Sequence, residues 1–300
     1  MKVEQLMTNL SPPILFGEVL YDCFPEGESI LGGAPFNVAW HCQAFGVKPL
    51  FISRVGDDLL GNHVIKSMQD WGMRTEGLQV DTEHATGKVN VSFHDNEPSY
   101  DIVEDSAWDF INAQNLPVLD NNSILYHGSL ALRKSDSAKC LTTIKKSISP
   151  AIFIDINLRA PWWNISNLYD YIQGSNWLKI NEDELNIIVP EHETIEEKAQ
   201  HLKGRLNLEF IVVTQGGSGA FAMNLDDIFR VSPENSVTII DTVGAGDAFT
   251  SVLLLGLYKS WGIEKTIIRA QQFASQVVGL RGATTQDIDF YQPFIKDWDL

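Results

Sequence analysis

Basic residues are scarce in this sequence. Its 300 residues include 22 lysines and arginines against 39 aspartates and glutamates, which gives a formal net charge of −17 at pH 7. Such a surface repels the phosphate backbone of nucleic acids and anionic lipid headgroups at long range, so neither nucleic acid nor a membrane is expected as a partner. A small anionic ligand is still compatible with this charge, because a local group of amides or a metal ion can override the overall field.

Cysteines and long apolar runs are scarce as well. Cys23, Cys42 and Cys140 show no paired spacing of the metal-binding kind, which argues against a disulfide framework and for a reducing compartment. The first residues, "MKVEQLMTNLSPP", lack the apolar core of a signal peptide, and the most apolar run, "SVLLLGLY", is far too short to span a bilayer. These absences predict a cytoplasmic protein.

Short apolar runs alternate with segments of helical character along the chain. The runs are almost continuously apolar, as in strands of a parallel sheet that is covered on both faces. They cover residues 14–20, 49–55, 123–128, 151–157, 176–181 and 210–216, and the helical segments cover 34–46, 61–72, 137–148 and 194–206. This order predicts an α/β protein with a doubly wound, mostly parallel sheet flanked by helices. With no obvious linker, residues 1–300 are expected to form a single domain.

One region, residues 87–105, breaks the alternation of strands and helices. Val89, Val91 and Phe93 alternate with polar residues, and a turn-like "DNEP" follows before a second alternating run. The pattern predicts an antiparallel hairpin with one buried face. Periodicity alone leaves open whether this hairpin is a surface elaboration or a flap over a site.

The stretch "DTVGAGDAF", residues 241–249, places a glycine-rich turn between two apolar segments. The amides of Gly244, Ala245 and Gly246 are predicted to face outward at a helix N-terminus, where small side chains let an anion approach. Asp247 would lie in the first turn of that helix. An anion hole beside a carboxylate base is what phosphoryl transfer requires, whereas the alternative is an aspartate that merely caps a helix.

The complete string closely resembles the C-terminal signature D-T-x-G-A-G-D of the ribokinase-like (PfkB) family of sugar kinases. Other motifs of that family follow in its order: "GGAPFN" (32–37), "SRVGDDLLG" (53–61), "NEDE" (181–184), "VTQGGSGA" (213–220) and "FASQVVGLRGAT" (273–284). The resemblance extends from Gly17 to about Tyr291. It implies a ribokinase-like fold with a small β-sheet lid and an ATP-dependent phosphotransferase with an alcohol group as acceptor.

The resemblance also assigns residues to the sugar side of the site. Glycines let a polyhydroxy ligand lie against the backbone, and amides or carboxylates exchange hydrogen bonds with neighbouring hydroxyls. The positions that match the family's sugar-binding motifs are Asp22, Gly32, Gly33 and Asn37. Trp108 could contact the sugar or belong to the core, and Arg159 could meet a substrate oxygen or pair with local carboxylates.

On the nucleotide side, the resemblance implies ATP and Mg²⁺ as cofactors. The matching nucleotide-binding positions are Asn181, Thr214, Gly216, Gly219, Ser275 and Gly282. Glu184 is assigned to a hydrated Mg²⁺, and a magnesium ion that keeps its waters needs only one or two carboxylates. Asp241 and Thr242, which are predicted to end the strand before the turn, lie where some family members bind a monovalent cation such as K⁺.

The lid implied by the resemblance comprises residues 18–31 and 87–105. Its closure would exclude water from the site. Because such lids often pair between subunits in the family, and because edge strands favour pairing, a homodimer is expected.

Within the family, the sequence around the sugar motifs is most similar to that of bacterial fructokinases. This similarity predicts transfer of the ATP γ-phosphate to fructose, giving fructose 6-phosphate. Alternative acceptors are ribose, a nucleoside or aminoimidazole riboside, and a keto-sugar acid. A non-catalytic sugar sensor has little support because Asp247 and Glu184 are both present. A nicotinamide-dependent oxidoreductase is excluded because "YDCFPEG", rather than G-x-G-x-x-G, follows the first strand.

Overall fold

The computed structural model describes residues 10–94, 97–233 and 238–300. Within these ranges the strands are β1 (Ser11–Phe16), β2 (Leu20–Cys23), β3 (Ser29–Gly32), β4 (Leu50–Gly56), β5 (Leu78–Asp81), β6 (Gly87–His94), β7 (Glu97–Ile102), β8 (Ser123–His127), β9 (Ala151–Asp155), β10 (Trp177–Asn181), β11 (Phe210–Thr214), β12 (Ala220–Met223) and β13 (Ile228–Val231). The helices are α1 (Ala34–Ala44), α2 (Leu59–Asp70), α3 (Ser135–Ile148), α4 (Ile165–Ile172), α5 (Glu182–Ile188), α6 (Ile195–Leu206), α7 (Ala245–Tyr258), α8 (Ile263–Val277) and α9 (Ile288–Trp298).

Nine strands form one large sheet in the order β13-β12-β11-β10-β9-β8-β1-β4-β5. The seven strands from β11 to β5 are mutually parallel, and β12 and β13 add an antiparallel edge. Alternating side chains of one strand enter different apolar cores: Phe153 of β9 packs in one cluster, while Ile152 and Ile154 pack in another on the opposite face. The doubly wound, mostly parallel sheet that the apolar runs predict is therefore confirmed.

Helices cover both faces of this sheet. The larger core takes its helical side chains from α1, α2, α7, α8 and α9. The opposite face is covered by α3, α4, α5 and α6, whose apolar residues complete two smaller cores. In the described part of the chain, no helix is long and apolar enough to cross a membrane.

The predicted strand over residues 14–20 proves to be two strands in different sheets. β1 ends at Phe16 and β2 begins at Leu20. The break lies at Gly17, where a β-carbon would collide with the ring of Pro35 in α1. The chain therefore leaves the large sheet at this glycine, and a continuous apolar pattern hides the bend.

A separate four-stranded sheet has the order β3-β2-β6-β7. β6 and β7 pair antiparallel, as the alternation over residues 87–105 predicts, and the side chains of Val89 and Val91 are buried. The predicted turn "DNEP" begins on residues 95 and 96, which lie outside the described ranges. The chain enters this small sheet after Gly17, at β2, and again at Gly87, the first residue of β6.

Candidate active site

The glycine-rich turn opens helix α7 at the carboxyl edge of the large sheet. Gly244 is the N-cap residue with φ 82°, and a β-carbon there would collide with Ala283, so this position needs glycine for both conformation and close approach. Among the described residues, the amides of Gly246 and Asp247 have no hydrogen-bond acceptor. Because unpaired amides at a helix N-terminus attract negative charge, the turn has the chemistry of an anion site.

The segment before the turn differs from its predicted form. Residues 238–243 form no strand, so the prediction that Asp241 and Thr242 end one is wrong. The amides of Ile240 and Asp241 both donate to the carbonyl of Val278, at the end of α8, instead of pairing with a strand. The Asp241 carboxylate accepts from the amides of Val243 at 2.9 Å and Gly282 at 3.1 Å, so it fixes two loops of the site to each other.

Asp247 lies half-buried in the first turn of α7, where its side chain meets the sugar-side motif. Asn37 of α1 donates its Nδ2 hydrogen to Asp247 Oδ2 at 2.8 Å. Burial raises the pKa of Asp247 to about 6, while the Asn37 hydrogen bond opposes that rise by favouring the ionised form. The carboxyl is thus ionised at neutral pH and has a higher proton affinity than an ordinary aspartate.

The predicted sugar-side residues converge on one point in front of Gly32. A β-carbon at Gly32 would lie 3.8 Å from Asp22 Oδ2 and 3.8 Å from Asn37 Oδ1. Gly33 is the N-cap of α1 with φ 112°, and a β-carbon there would lie 2.7 Å from the carbonyl oxygen of Glu18. Burial raises the pKa of Asp22 to about 6. A carboxylate and an amide facing a bare backbone form a surface that suits paired hydroxyls.

Glu18 is a carboxyl at this site that the motifs do not single out. It follows Gly17 directly, is 3% exposed, and its Oε2 has no hydrogen-bond partner among the described residues. Burial raises its pKa to about 7, and the charge of Asp247 adds to that rise. The only hint in the sequence is a charged residue between two apolar strands.

Trp108 does not line the site, which corrects its assignment as a sugar contact. It is completely buried in the core beneath the small sheet, where a β-carbon at Gly87 would collide with its indole nitrogen. The guanidinium of Arg133 lies 4.2 Å from the Trp108 ring and binds Asp109 through two nitrogens. Because the indole supports the strand β6 at its first residue, its role is structural.

Arg159 remains compatible with a ligand role. Its side chain is exposed, and among the described residues it forms no ion pair with a carboxylate. Its positive charge lowers the pKa values of Glu18, Asp22 and Asp247, although burial of each carboxyl outweighs this effect. The guanidinium therefore lies at the mouth of the site, near all three acids.

Asn181 and Glu184 form a reciprocal cap at the start of α5. Asn181 Oδ1 accepts from the Glu184 amide at 2.8 Å, and Glu184 Oε2 accepts from the Asn181 amide at 3.0 Å. Glu184 Oε1 accepts a third hydrogen bond from the amide of Leu158 at 2.7 Å. Burial raises the pKa of this glutamate. The described residues contain no cluster of three histidine, cysteine or acidic side chains that could bind a metal directly.

The other predicted nucleotide positions surround the end of β11 and the loop after α8. Thr214 ends β11, Gly216 has φ 52°, and Gly219 has φ 99° with its β-carbon position occupied by the carbonyl of Val231. Gly282 has φ 79° and donates to Asp241. Ser275 is buried in α8, where its hydroxyl accepts from Gln271. The strained backbone at these glycines explains why the motifs specify glycine.

A buried ion pair below the turn is a further feature that sequence reasoning missed. Asp155 and Lys179 are paired positions on β9 and β10, and the Lys179 ammonium lies 2.9 and 2.8 Å from the two Asp155 oxygens. Thr250 of α7 donates to Asp155 at 2.8 Å and lies 2.8 Å from the carbonyl of Gly246. We call Asp155, Lys179 and Thr250 the buried cluster. A lysine inside the apolar run "WLKIN" and an aspartate ending "AIFID" are the only signals in the sequence.

Comparisons with known proteins find sugar kinases that are similar to this chain. The profile of the pfkB family carbohydrate kinases matches residues 19–289. A Vibrio alginolyticus fructokinase is 29% identical over 286 residues, covering 90% of this chain and 92% of its own. A crystal structure of Vibrio cholerae fructokinase with fructose, ADP and calcium is 25% identical with a TM-score of 0.80, covering 94% of this chain and 98% of its own. An uncharacterized sugar kinase of Pyrococcus horikoshii is 26% identical with a TM-score of 0.78, covering 93% of this chain and 96% of its own.

Proposed function

The chain belongs to the pfkB family of carbohydrate kinases, and we propose that it transfers the γ-phosphate of ATP to a hydroxyl of fructose, giving fructose 6-phosphate. It is an ATP-dependent phosphotransferase, as its relatives are.

The proposed reaction uses Asp247 as the base. Its ionised carboxylate accepts the proton of the attacking hydroxyl while the bond to phosphorus forms. In the anion hole proposed at residues 244–246, the Gly246 amide and the adjacent Asp247 amide stabilise negative charge on the moving phosphoryl group, since neither has an internal acceptor, whereas the Ala245 amide donates to the Thr242 carbonyl at 3.3 Å. No covalent intermediate on the chain is needed.

The observation that carries this proposal is the hydrogen bond between Asn37 and Asp247. It joins the motif that recognises hydroxyls to the residue that removes a proton from one, at 2.8 Å. A hydroxyl held in front of Gly32, between Asp22 and Asn37, therefore lies beside the base. The acids on this side favour a neutral polyhydroxy acceptor over an anionic one, because a sugar acid or sugar phosphate would bring negative charge next to them.

The donor set near Glu184 fits a hydrated Mg²⁺. Its two oxygens each accept one backbone hydrogen bond, from the amides of Leu158 and Asn181, which fixes the carboxylate and leaves further lone pairs for metal-bound waters. Mg²⁺ there would neutralise charge on the ATP phosphates. We also propose that Asp241 and Thr242 bind K⁺, with Asp241 contributing a carboxylate that is already fixed by two amides.

We also infer that the small sheet closes over the acceptor. Asp22 is on β2 and Gly32 ends β3, so two strands of that sheet contribute directly to the sugar side. Its outer strands, β3 and β7, have unpaired edges among the described residues, and this supports pairing of two subunits through the sheet. Sedimentation equilibrium measures the expected dimer, and a monomer at all concentrations contradicts it.

A panel of acceptors tests the proposed function. ADP release from Mg·ATP is measured with fructose, ribose, mannose, glucose, a keto-sugar acid, aminoimidazole riboside and other nucleosides, each with and without K⁺. The Asp247→Asn protein, purified identically, reports contaminating kinases. Turnover on fructose far above all other acceptors supports the proposal. Turnover confined to another alcohol contradicts the fructose assignment, and no turnover on any acceptor contradicts the kinase function.

A further inference from the structure

The space in front of Gly246 is open and is bordered by one charged atom. Apart from its chain neighbours and the backbone of its own helix, the one atom of the described residues within 4 Å of a β-carbon at Gly246 would be the Lys179 ammonium nitrogen, at 3.7 Å. Gly246 is exposed, so a ligand can approach this space from solvent. The Lys179 side chain is only 8% exposed, which means that the ammonium reaches the space from below.

The Lys179 ammonium still has hydrogen-bonding capacity. Of its three N–H groups, two bind the oxygens of Asp155, and the described residues provide no other acceptor. The second oxygen of Asp155 is also held by Thr250, whose hydroxyl contacts the carbonyl of Gly246. Hence the buried cluster holds the ammonium in position relative to the anion-binding turn.

A contribution to folding stability does not by itself explain why the chain buries the ion pair of Lys179 and Asp155. Removing two charges from water costs several kcal/mol, and an apolar pair of similar volume commonly gives a fold of equal or greater stability. A fixed ammonium in a water-poor site is, in contrast, effective at stabilising charge that develops during a reaction.

We propose that Lys179 is a catalytic residue whose ammonium forms the floor of the anion-binding turn and stabilises the phosphoryl group during transfer, with Asp155 and Thr250 as positioning residues. This inference rests on the kinase function proposed above. In the step, the bond from Pγ to the bridging oxygen breaks and its electron pair remains on ADP. The acceptor oxygen bonds to phosphorus, its proton moves to Asp247, and Lys179 keeps its own proton.

Three variants separate catalysis from structure. Lys179→Met leaves the Asp155 carboxylate buried without its partner, and Asp155→Asn leaves the Lys179 ammonium buried without the partner that fixes it. Because each variant retains one uncompensated buried charge, both are expected to unfold at lower urea concentration than the wild type. The double variant removes both charges and is expected to regain stability. If the ammonium acts on the phosphoryl group, kcat of the double variant stays about 10²–10³-fold below wild type, with KM for the acceptor changed less than about threefold.

A second measurement does not depend on turnover. Affinity for MgADP alone is compared with affinity for MgADP plus aluminium fluoride and acceptor, a mimic of the phosphoryl group in transfer. The double variant should bind MgADP like wild type and lose about 10²-fold in affinity for the mimic.

Gly246→Ala provides a variant that keeps the ion pair. The added methyl contacts Nζ at an ordinary distance and occupies the open space, so the fold is kept while kcat and mimic binding fall. Gly204→Ala is the matched control, because a β-carbon at this position of α6 would meet no described atom within 4 Å other than its chain neighbours and its own helix backbone, and it should leave both unchanged.

The outcomes distinguish this inference from the proposed function. Recovery of kcat and of mimic binding in the double variant overturns the role of Lys179 and leaves the kinase function standing. A wild type that phosphorylates no acceptor contradicts the proposed function, and the mimic then still tests whether Lys179 binds a phosphoryl group. Full activity in Gly246→Ala also overturns the inference.

Discussion

Replacing Asn37 with leucine should move the acid limb of the pH–rate profile to higher pH. Asp247 must be ionised to accept a proton, and its pKa is raised to about 6. In the wild type, kcat/KM is therefore expected to be constant above about pH 7 and to fall tenfold per unit as pH decreases below about 6. Asn37 favours the ionised form through one hydrogen bond at 2.8 Å, so its loss raises the pKa of Asp247.

The size of this shift follows from the strength of the hydrogen bond. A hydrogen bond to a charged group contributes about 1.5–3 kcal/mol, and one pKa unit corresponds to 1.36 kcal/mol, which gives about one to two pH units. Because Asp247 is half-buried, water replaces part of the lost bond, and we expect about one unit.

The assay is kcat/KM for the best acceptor from pH 4.5 to 9 under saturating Mg·ATP. Asn90→Leu is the matched control, because Asn90 also donates to an aspartate, Asp101 at 3.1 Å, on the exposed face of the small sheet. Asn37→Leu also weakens acceptor binding and so lowers the plateau value of kcat/KM. Only the loss of the hydrogen bond to Asp247 moves the acid limb of the profile to a different pH. A limb at the same pH in Asn37→Leu and wild type refutes the reasoning.

Two further predictions concern stability. Gly87→Ala places a methyl against the Trp108 indole and should lower the free energy of unfolding in urea by about 1–3 kcal/mol. Gly204→Ala, in the interior of helix α6, should raise the free energy of unfolding by about 0.5–1 kcal/mol. Equal stabilities of the two variants contradict this packing argument. Burial lowers the pKa of His41 to about 3, so the unfolded chain takes up a proton below pH 6.5 that the folded protein does not, and stability falls as pH decreases towards 3. His41→Gln should reduce that slope by up to about 1.4 kcal/mol per pH unit, and an unchanged slope refutes it.

Much of the fold and of the glycine-containing motifs could be predicted because their signals are local. The turn at residues 244–246 needs small residues and a left-handed backbone within a few consecutive positions, and this requirement is visible as a short string. Apolar runs likewise mark strands that are buried on both faces. A strand prediction fails where apolar residues are not buried. Ile239 and Ile240 suggest a strand before the turn, but they are 68% and 64% exposed and belong to a loop.

Interactions between distant segments could not be predicted in this way. The buried cluster depends on the register of β9 against β10 and on the packing of α7 over both, which no single segment encodes. Trp108 is in the core because Gly87 allows the backbone to approach its indole, and an aromatic residue after a hairpin looks the same in sequence whether it faces the core or a ligand.

Asp247→Asn tests the role of Asp247 as the base, because it removes the proton acceptor and keeps a side chain of nearly the same shape. The measurement is kcat with Mg·ATP and the best acceptor, together with calorimetric affinities for MgADP and for that acceptor. We expect kcat to fall by about 10²–10⁴ while both affinities stay within a few-fold of wild type, because asparagine keeps the shape of the side chain but cannot take the proton. Turnover equal to that of the wild type would contradict it.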